Sequence, residues 1–556
     1  MLRTSLFLIL LLLSSVFCLE DIKEEFKESL SIKSLRDGRV ASSFSFKTLL
    51  RDAIPRDPQT LAFDDDDSQH YTLFPLTLGQ ILRQYAITEL HLTLNAGKWD
   101  YDSWGYPDET GVGVGAELRA WMAGGSISSI DDRWQGVRNA LAGLFCASLG
   151  SLNEQRTTSP RLSFPPEGAL PDWGLPHELR HASHASEHVC TENLTPFLKL
   201  LPCKSLSGLA MLLNPHRIFD ADWHGIGLHV LWRPEGVEVR LNVQLVSDPL
   251  RISGQKKQDW SFHSLFDRRV EKACPVAKFS RVSVDLPSSG LYRVYPEPME
   301  VIEGKAYYDL KNNHEVWDIG TMWPADFEYP LSKLNPTLVP FSVRRNLLGS
   351  TQDRGQLSIV VTNNQQDTLQ LLYLETMPWI IQFYLHTIRV HSDDVPRDDL
   401  ISNMSYVLPV PHARPATFES VLTLPGRSSL TFTMDVAKAF LRYTEHPPDA
   451  QRGWDLLPAI FTPLTEFPNG SINLGRRVYT PSLLVDLATP DFSMPYNVII
   501  FTCSVVAFIF GSVFNALTRK FIIVRLEPQK QTENSVGKNI DANKSNKPDA
   551  SESEAH

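Results

Sequence analysis

The sequence is poor in cysteine and has no excess of basic charge. Its 556 residues include 6 cysteines, and 53 basic against 64 acidic side chains give a formal net charge of −11. Nothing in it resembles a basic stripe, so the composition disfavours nucleic acid, and we predict no nucleic-acid partner. The chain also has no CxxC pair, which excludes a thioredoxin-like redox site.

The loops that mark common catalytic sites are missing as well. The sequence contains no G-x-S-x-G and no Walker A loop, because Gly97-Lys98 and Gly304-Lys305 lack both the upstream glycine and the following Ser or Thr. No cysteine lies in a caspase-type or papain-type signature. We therefore predict that the chain is not itself an enzyme and needs no cofactor.

One catalytic string is present, HELRH at residues 177–181. On a helix, His177 and His181 would lie one turn apart and bind zinc, with Glu178 as the general base. However, Glu187 stands where a metzincin would place its third histidine. Prolines and polar neighbours also favour an exposed loop. We expect no metal site here, and a membrane-anchored zinc hydrolase remains the alternative.

An uncharged apolar run covers residues 498–517, long enough for a helix to cross a bilayer. Arg519, Lys520 and Arg525 follow it, whereas the nearest charge on the other side is Asp491. This asymmetry predicts a cytosolic carboxy terminus. We predict a transmembrane helix over 498–517 and a disordered cytosolic tail over 518–556.

The amino terminus has the pattern of a signal peptide over residues 1–18, with Arg3 before an apolar run. Together with the late membrane helix it predicts a single-pass type I protein whose bulk is lumenal or extracellular. A portion of this size predicts two domains. We place them at 19–270 and 271–496, with a proline-rich loop at 153–176 as another candidate boundary.

Period-two alternation predicts a mainly β fold with some helix, built as a sandwich-like ectodomain. Residues 237–246 give the clearest strand, and 356–362 with 368–374 are predicted to form a hairpin. Further strands are predicted at 379–390 and 430–434. The helices are predicted at 78–85, 134–149 and 436–443.

The cysteines and sequons supply further candidate sites. Cys18 would leave with the signal peptide and Cys503 lies in the membrane helix. The rest allow three pairings, or a bond to another chain, and are Cys146, Cys190, Cys203 and Cys274. Three sequons are predicted as surface glycan sites, at Asn193, Asn403 and Asn469.

The membrane helix carries a stripe of small or weakly polar residues at every fourth position, namely Cys503, Ala507, Gly511 and Asn515. Small residues at this spacing let another helix approach closely, and an asparagine can hydrogen-bond across the contact. The stripe predicts a packing face for a neighbouring transmembrane helix.

Several strings together resemble the PIG-T family, a subunit of the GPI transamidase complex. They are ELHL at 89–92, GLFCASL at 143–149, CTENLTP at 190–196 continuing to LLPC at 200–203, MPW at 377–379 and TPDFSMPYNVI at 489–499. The likeness extends from the signal peptide through the membrane helix.

The resemblance implies residence in the endoplasmic reticulum membrane. The complex replaces the carboxy-terminal signal of a proprotein with a GPI glycolipid. The resemblance also implies that the chemistry belongs to a different, caspase-like subunit with a Cys-His dyad, and that this chain is a non-catalytic scaffold. By motif match, Cys190 forms the disulfide to that subunit. The other implied partners are multi-spanning membrane subunits, with the proprotein and the lipid as possible ligands. A type I cell-surface receptor is the remaining alternative.

Overall fold

The computed structural model describes residues 23–63, 71–254, 256–286, 292–311, 316–328, 338–349, 351–446, 452–466, 472–489, 493–520 and 524. The predicted signal peptide at 1–18, most of the predicted tail and Asn469 lie outside these residues. Met1–Thr489 forms one compact unit and Pro490–His556 a second.

The first part of the large unit contains the strands β1 Glu24–Ser34, β2 Val40–Arg51, β3 Ile87–Ala96, β4 Gly115–Ala123, β5 Thr157–Thr158, β6 His177–His184, β7 Trp223–Arg233, β8 Gly236–Ser247, β9 Trp260–Ser261, β10 Ala277–Asp285, β11 Arg293–Tyr295, β12 Glu300–Ile302, β13 Lys305–Asp309 and β14 Gly320–Met322. Its helices are α1 Leu76–Gln84, α2 Tyr101–Trp104, α3 Ile130–Phe145, α4 Thr191–Leu200, α5 Pro215–Ile218, α6 Pro249–Ser253 and α7 Phe262–Phe266.

The second part contains β15 Phe341–Leu348, β16 Arg354–Asn363, β17 Leu369–Met377, β18 Ile381–Phe383, β19 Arg389–Ser392, β20 Val395–Pro396, β21 Ile401–Val407, β22 Ala416–Leu424, β23 Ser429–Lys438, β24 Trp454–Leu456, β25 Ile460–Glu466, β26 Ile472–Leu474, β27 Val478–Tyr479 and β28 Leu483–Val485. The smaller unit holds helix α8, Ser493–Thr518.

An 11-stranded sheet organises the first part, in the order β12-β13-β10-β1-β2-β8-β7-β3-β4-β6-β5. Strand β8 shows why it forms: its alternate residues from Val237 to Leu245 are buried in one core, as the alternation predicts. Helices α1, α3 and α4 add buried apolar side chains to that core, among them Leu78, Trp134 and Phe197. The helices predicted at 78–85 and 134–149 are confirmed as α1 and α3, although α3 ends at Phe145 instead of continuing to residue 149.

The second part is a sandwich of two six-stranded sheets, with the main paths β15-β16-β23-β19-β20 and β21-β22-β17-β25-β26. The predicted strands at 356–362 and 368–374 exist as β16 and β17, but the predicted hairpin is wrong. Strand β16 pairs with β15 and β23, whereas β17 pairs with β22 and β25 in the other sheet. The intervening loop crosses between sheets.

Two other assignments of secondary structure are corrected. The helix predicted at 436–443 does not form, because Val436 continues the alternation of β23 and is buried in the sandwich core. The strand predicted at 379–390 is broken into β18, a 3₁₀ turn at Leu385–Thr387 and the start of β19. The mainly β fold with an apolar carboxy-terminal helix is confirmed.

Two large hydrophobic clusters fill this unit. One extends from Phe26 to Ile319 and the other from Val339 to Leu487. Strands β10, β12 and β13 lie beyond residue 271 and still belong to the 11-stranded sheet. The first hydrophobic cluster therefore ends, and the second begins, later in the chain than residue 270. The domain boundary at 270 stays a prediction.

Candidate functional site

Cys190 immediately precedes helix α4. Its backbone N–H donates to Asn193 Oδ1 at 2.7 Å, and its carbonyl accepts from the Asn193 N–H at 3.1 Å, so the residue is held as the helix N-cap. Cys190 is a free thiol with intermediate exposure. The structure therefore presents the predicted intersubunit cysteine at a fixed and accessible position.

Asn193 connects Cys190 to a second free cysteine. Its Nδ2 donates to the carbonyls of Phe145 at 2.9 Å and Cys146 at 3.3 Å, at the end of helix α3. Cys146 is exposed and takes the left-handed conformation with φ of 50°. One carboxamide thus joins the end of α3 to the start of α4.

This arrangement disfavours the glycan predicted at Asn193. The side chain is 1% exposed and both of its polar atoms are engaged inside the fold. A glycan on its nitrogen would displace the contact to helix α3. Asn403, by contrast, is exposed on β21 and stays a predicted glycan site.

Two further cysteines of the large unit are bonded to each other. Cys203 and Cys274 form a disulfide across a sequence separation of 71 residues. Sequence alone left this pairing open. It leaves Cys146 and Cys190 as the free thiols in the described part of the large unit.

The HELRH string is part of a strand rather than the exposed loop that its polar residues suggest. Strand β6 pairs with β4, with His181 opposite Arg119 and His177 opposite Ala123. Residues four apart on a strand are separated by about 13 Å, too far to bind one metal ion together. Within the described ranges, no group of three or more His, Cys, Asp and Glu side chains is placed to hold a metal.

His181 instead belongs to a buried polar layer. Its Nε2 lies 2.8 Å from Glu117 Oε1, and the Tyr479 hydroxyl donates to Glu117 Oε2 at 3.0 Å. Burial raises the pKa of the Glu117 carboxyl, but the bond to His181 and the positive charges of His181, Arg119 and Arg477 together hold that pKa below its usual value. The contact joins the 11-stranded sheet to β27 of the second part.

A row of four titratable groups continues the same layer. His91 Nδ1 lies 2.8 Å from His229 Nδ1, so one ring must donate and the other accept. At the two ends, His91 Nε2 lies 2.8 Å from Glu89 Oε1 and His229 Nε2 lies 2.9 Å from Glu109 Oε1. Burial lowers the pKa of His91. Burial alone would raise the pKa of Glu109, but the neighbouring His229 and Asn242 hold the Glu109 pKa at about 2.

Sequence reasoning missed this layer. Its residues alternate with apolar ones along β3 and β4, for example Glu89 and His91 around Leu90, and alternation normally marks the polar face as solvent-exposed. Here the burial of every residue from Ile87 to Asn95 shows that both faces are covered.

A loop of residues 161–168, which we name the wedge loop, covers part of that polar face. Glu419 on β22 accepts the backbone N–H groups of Arg161, Leu162 and Ser163 at 2.8 to 3.0 Å. At its other end, Glu89 accepts the N–H groups of Glu167 and Gly168. The segment predicted as a candidate domain boundary therefore ties the two parts together.

Helix α8 provides a segment long and apolar enough to cross a membrane, at Tyr496–Thr518. The predicted packing residues lie along it and are exposed, namely Cys503, Ala507, Gly511 and Asn515. A Cβ added at Gly511 would meet nothing within 4 Å. The stripe stays a prediction of a packing face.

Comparison with known proteins gives a consistent result. A family model described as Gpi16 subunit, GPI transamidase component, matches residues 8–254 and 244–543. The chain is 34% identical to the human GPI-anchor transamidase component PIGT, covering 93% of this chain and 94% of the relative. It is 29% identical to the Saccharomyces cerevisiae GPI transamidase component GPI16, covering 90% and 89%.

Similarity to solved structures is weak. A cellulosome CBM3a-L domain of Clostridium thermocellum matches 27% of this chain and 96% of its own length at 13% identity, with a TM-score of 0.15. A likeness of this size supports no inference.

Proposed function

Because the chain belongs to the Gpi16 family of GPI transamidase components, we propose that it is a non-catalytic scaffold whose Cys190 forms a disulfide with the caspase-like catalytic subunit. The observation that carries this proposal is the free Cys190 thiol, partly exposed and fixed at the start of helix α4 within the CTENLTP string. A covalent link would keep the catalytic subunit at high effective concentration beside its scaffold.

The same proposal places the chain in the endoplasmic reticulum membrane, with the large unit in the lumen and helix α8 as its single span. The basic residues Arg519, Lys520 and Arg525 after that helix support this orientation. An oxidising lumen also suits the Cys203–Cys274 disulfide. Helix α8 would pack against the multi-spanning subunits through its stripe of small residues.

Non-reducing electrophoresis of the complex tests the tether. We expect Cys190→Ser to abolish a reductant-sensitive species whose mass equals the sum of this chain and the catalytic subunit. Serine is a good helix N-cap, and the bond from the residue-190 N–H to Asn193 does not involve the thiol. Loss of the species would therefore report the thiol rather than a damaged helix.

Cys146→Ser is the matched control, because Cys146 is the neighbouring free thiol and is more exposed. The species should persist in this variant. If it persists in Cys190→Ser and disappears in Cys146→Ser, the tether is assigned to the wrong cysteine. If it persists in both, no disulfide of this unit's free thiols holds the partner.

A further inference from the structure

A cavity of about 780 Å³ lies between the wedge loop and the outer face of the sheet that contains β17, β21, β22, β25 and β26. Its volume is within the range of ligand sites, which are commonly 300–1,000 Å³. No role proposed above uses this cavity.

The cavity has an aliphatic lining with a few polar groups. Its apolar side chains come from both parts of the large unit and are Leu162, Pro165, Leu372, Val421, Leu464 and Leu474. Three carboxamides, of Gln370, Asn403 and Asn473, also face it. Each carboxamide offers a donor and an acceptor, as a peptide bond does, and the branched aliphatic lining suits aliphatic side chains better than sugar rings.

One cation in the wall lacks a full partner. The Arg477 side chain is 10% exposed, and in the described part of the chain its nearest carboxylate oxygen is Glu167 Oε1 at 3.6 Å. That distance exceeds a hydrogen bond, and Arg119 already donates to the same oxygen at 2.5 Å. Arg477 therefore keeps guanidinium donors for another anion.

The electrostatic surroundings agree with this geometry. Burial, together with the nearby Arg119 guanidinium, lowers the pKa of Arg477, as expected for a cation without sufficient opposite charge. The Arg477 and Arg119 guanidinium carbons lie 4.8 Å and 5.2 Å from the centre of the Phe164 ring. Exposed Arg476 adds a further positive charge to the wall.

The wall is also held firmly in place. The wedge loop that supplies Leu162, Pro165 and Glu167 is bonded to Glu419 at one end and to Glu89 at the other. A preorganised site loses little entropy when its ligand binds. Such anchoring favours a binding site over an incidental gap between layers.

We propose that this cavity binds an extended peptide segment of another protein that carries a carboxylate beside aliphatic side chains. The carboxylate pairs with Arg477, the aliphatic side chains fill the lining, and the carboxamides of Gln370 and Asn473 pair with the peptide backbone. This binding is independent of the Cys190 tether.

Fluorescence anisotropy with the full-length chain in detergent tests the proposal. The probes are two fluorescein-labelled peptides, GLVDLG and GLVNLG, which differ by one carboxylate. We expect the acidic peptide to bind about 30-fold more tightly, since losing one partner of a buried charged pair weakens binding by that order. Arg477→Gln should remove the preference for the acidic peptide.

Two further variants guard against misfolding and nonspecific charge effects. Ser402→Trp places a large side chain at the exposed mouth without changing charge, and should weaken both peptides. Arg354→Gln removes an 84% exposed arginine on β16 and should change neither affinity. Arg477→Gln thus tests the ion pair, Ser402→Trp tests whether the peptide occupies the cavity, and Arg354→Gln tests for a nonspecific effect of positive charge.

Three results would overturn the proposal. The first is equal affinity for the two peptides, or an acidic preference that survives Arg477→Gln. The second is displacement of the acidic peptide by phosphoethanolamine at lower concentration than by unlabelled GLVDLG, which would assign the cavity to a phosphate headgroup. The third is peptide binding that appears only after N-glycan removal, which would make a glycan on Asn403 the resident occupant.

Discussion

At the scale of single residues, Glu28 predicts a pH dependence of stability. It is 1% exposed on β1, where it accepts from the Ser280 hydroxyl at 2.5 Å and the Leu209 N–H at 3.2 Å. Burial raises its pKa to about 7, against the opposing effect of those bonds. The folded state therefore binds the proton more tightly than the unfolded chain, and raising the pH from 4.5 through 7 lowers the free energy of unfolding.

The size of this effect can be measured with Glu28→Gln. Each pKa unit corresponds to about 1.4 kcal/mol, so ionised Glu28 destabilises the fold by about 3 kcal/mol above pH 7. We expect urea unfolding, followed by tryptophan fluorescence at pH 5 and pH 8, to show a smaller pH dependence in the variant. Glu25→Gln is the control on the same strand. The bond from Lys278 lowers the pKa of Glu25, so we expect this carboxylate to cause no loss of stability between pH 5 and pH 8. An unchanged pH dependence in Glu28→Gln would refute the assignment.

At the scale of secondary-structure elements, an ion pair joins the two sheets of the sandwich. Arg345 on β15 donates to Glu375 on β17, and both side chains are 0% exposed. Arg345 Nη1 also donates to the Leu457 carbonyl at 2.8 Å, and the Tyr373 hydroxyl donates to Glu375 Oε2 at 2.8 Å. Each charge therefore depends on the other for its compensation.

Removing one member should cost much more than removing both. We expect Glu375→Gln to lower the free energy of unfolding by about 3–5 kcal/mol, because it leaves a buried guanidinium without its anion. The double variant Arg345→Met with Glu375→Leu should recover most of this loss. Urea unfolding of both variants measures the difference, and equal losses would show that the pair is not the dominant interaction between the sheets.

The elements also show how far the sequence alone leads. Alternation predicted β8 correctly because its two faces differ in polarity, and apolar spacing predicted α1 and α3. The alternation also predicted β16 and β17, but their pairing as a hairpin was wrong. Two strands joined by a short loop have the same sequence pattern whether they form a hairpin or belong to different sheets. The polar layer around His91 escaped detection because sequence alternation does not reveal that its polar face is covered. The role proposed for Cys190 comes from the CTENLTP resemblance, whereas the cavity beside Arg477 depends on residues far apart in the chain.

At the scale of the whole molecule, Glu419 holds the two cores together through the wedge loop. It is 2% exposed, and its carboxylate accepts three backbone N–H groups and the Ser163 hydroxyl, at 2.7 Å for the hydroxyl. A glutamine at this position would replace one of the two accepting oxygens with an NH2 group, which cannot accept from the backbone N–H groups of the wedge loop. Glu419→Gln, with nearly the same shape, should therefore release the loop from β22 while leaving both cores intact.

Trypsin measures that release, because Arg161 is an exposed cleavage site within the wedge loop. Losing about 2 kcal/mol of local stability would raise the cleavage rate after Arg161 by about 30-fold when opening is faster than cleavage. Asp353→Asn is the control, since Asp353 is a 75% exposed carboxylate of the second part and should leave the rate unchanged. Glu419→Gln should also weaken binding of the acidic peptide, because the wedge loop forms one wall of the cavity. A cleavage rate equal to that of the unaltered chain would mean that Phe164, packed between Arg119 and Arg477, anchors the loop instead of Glu419.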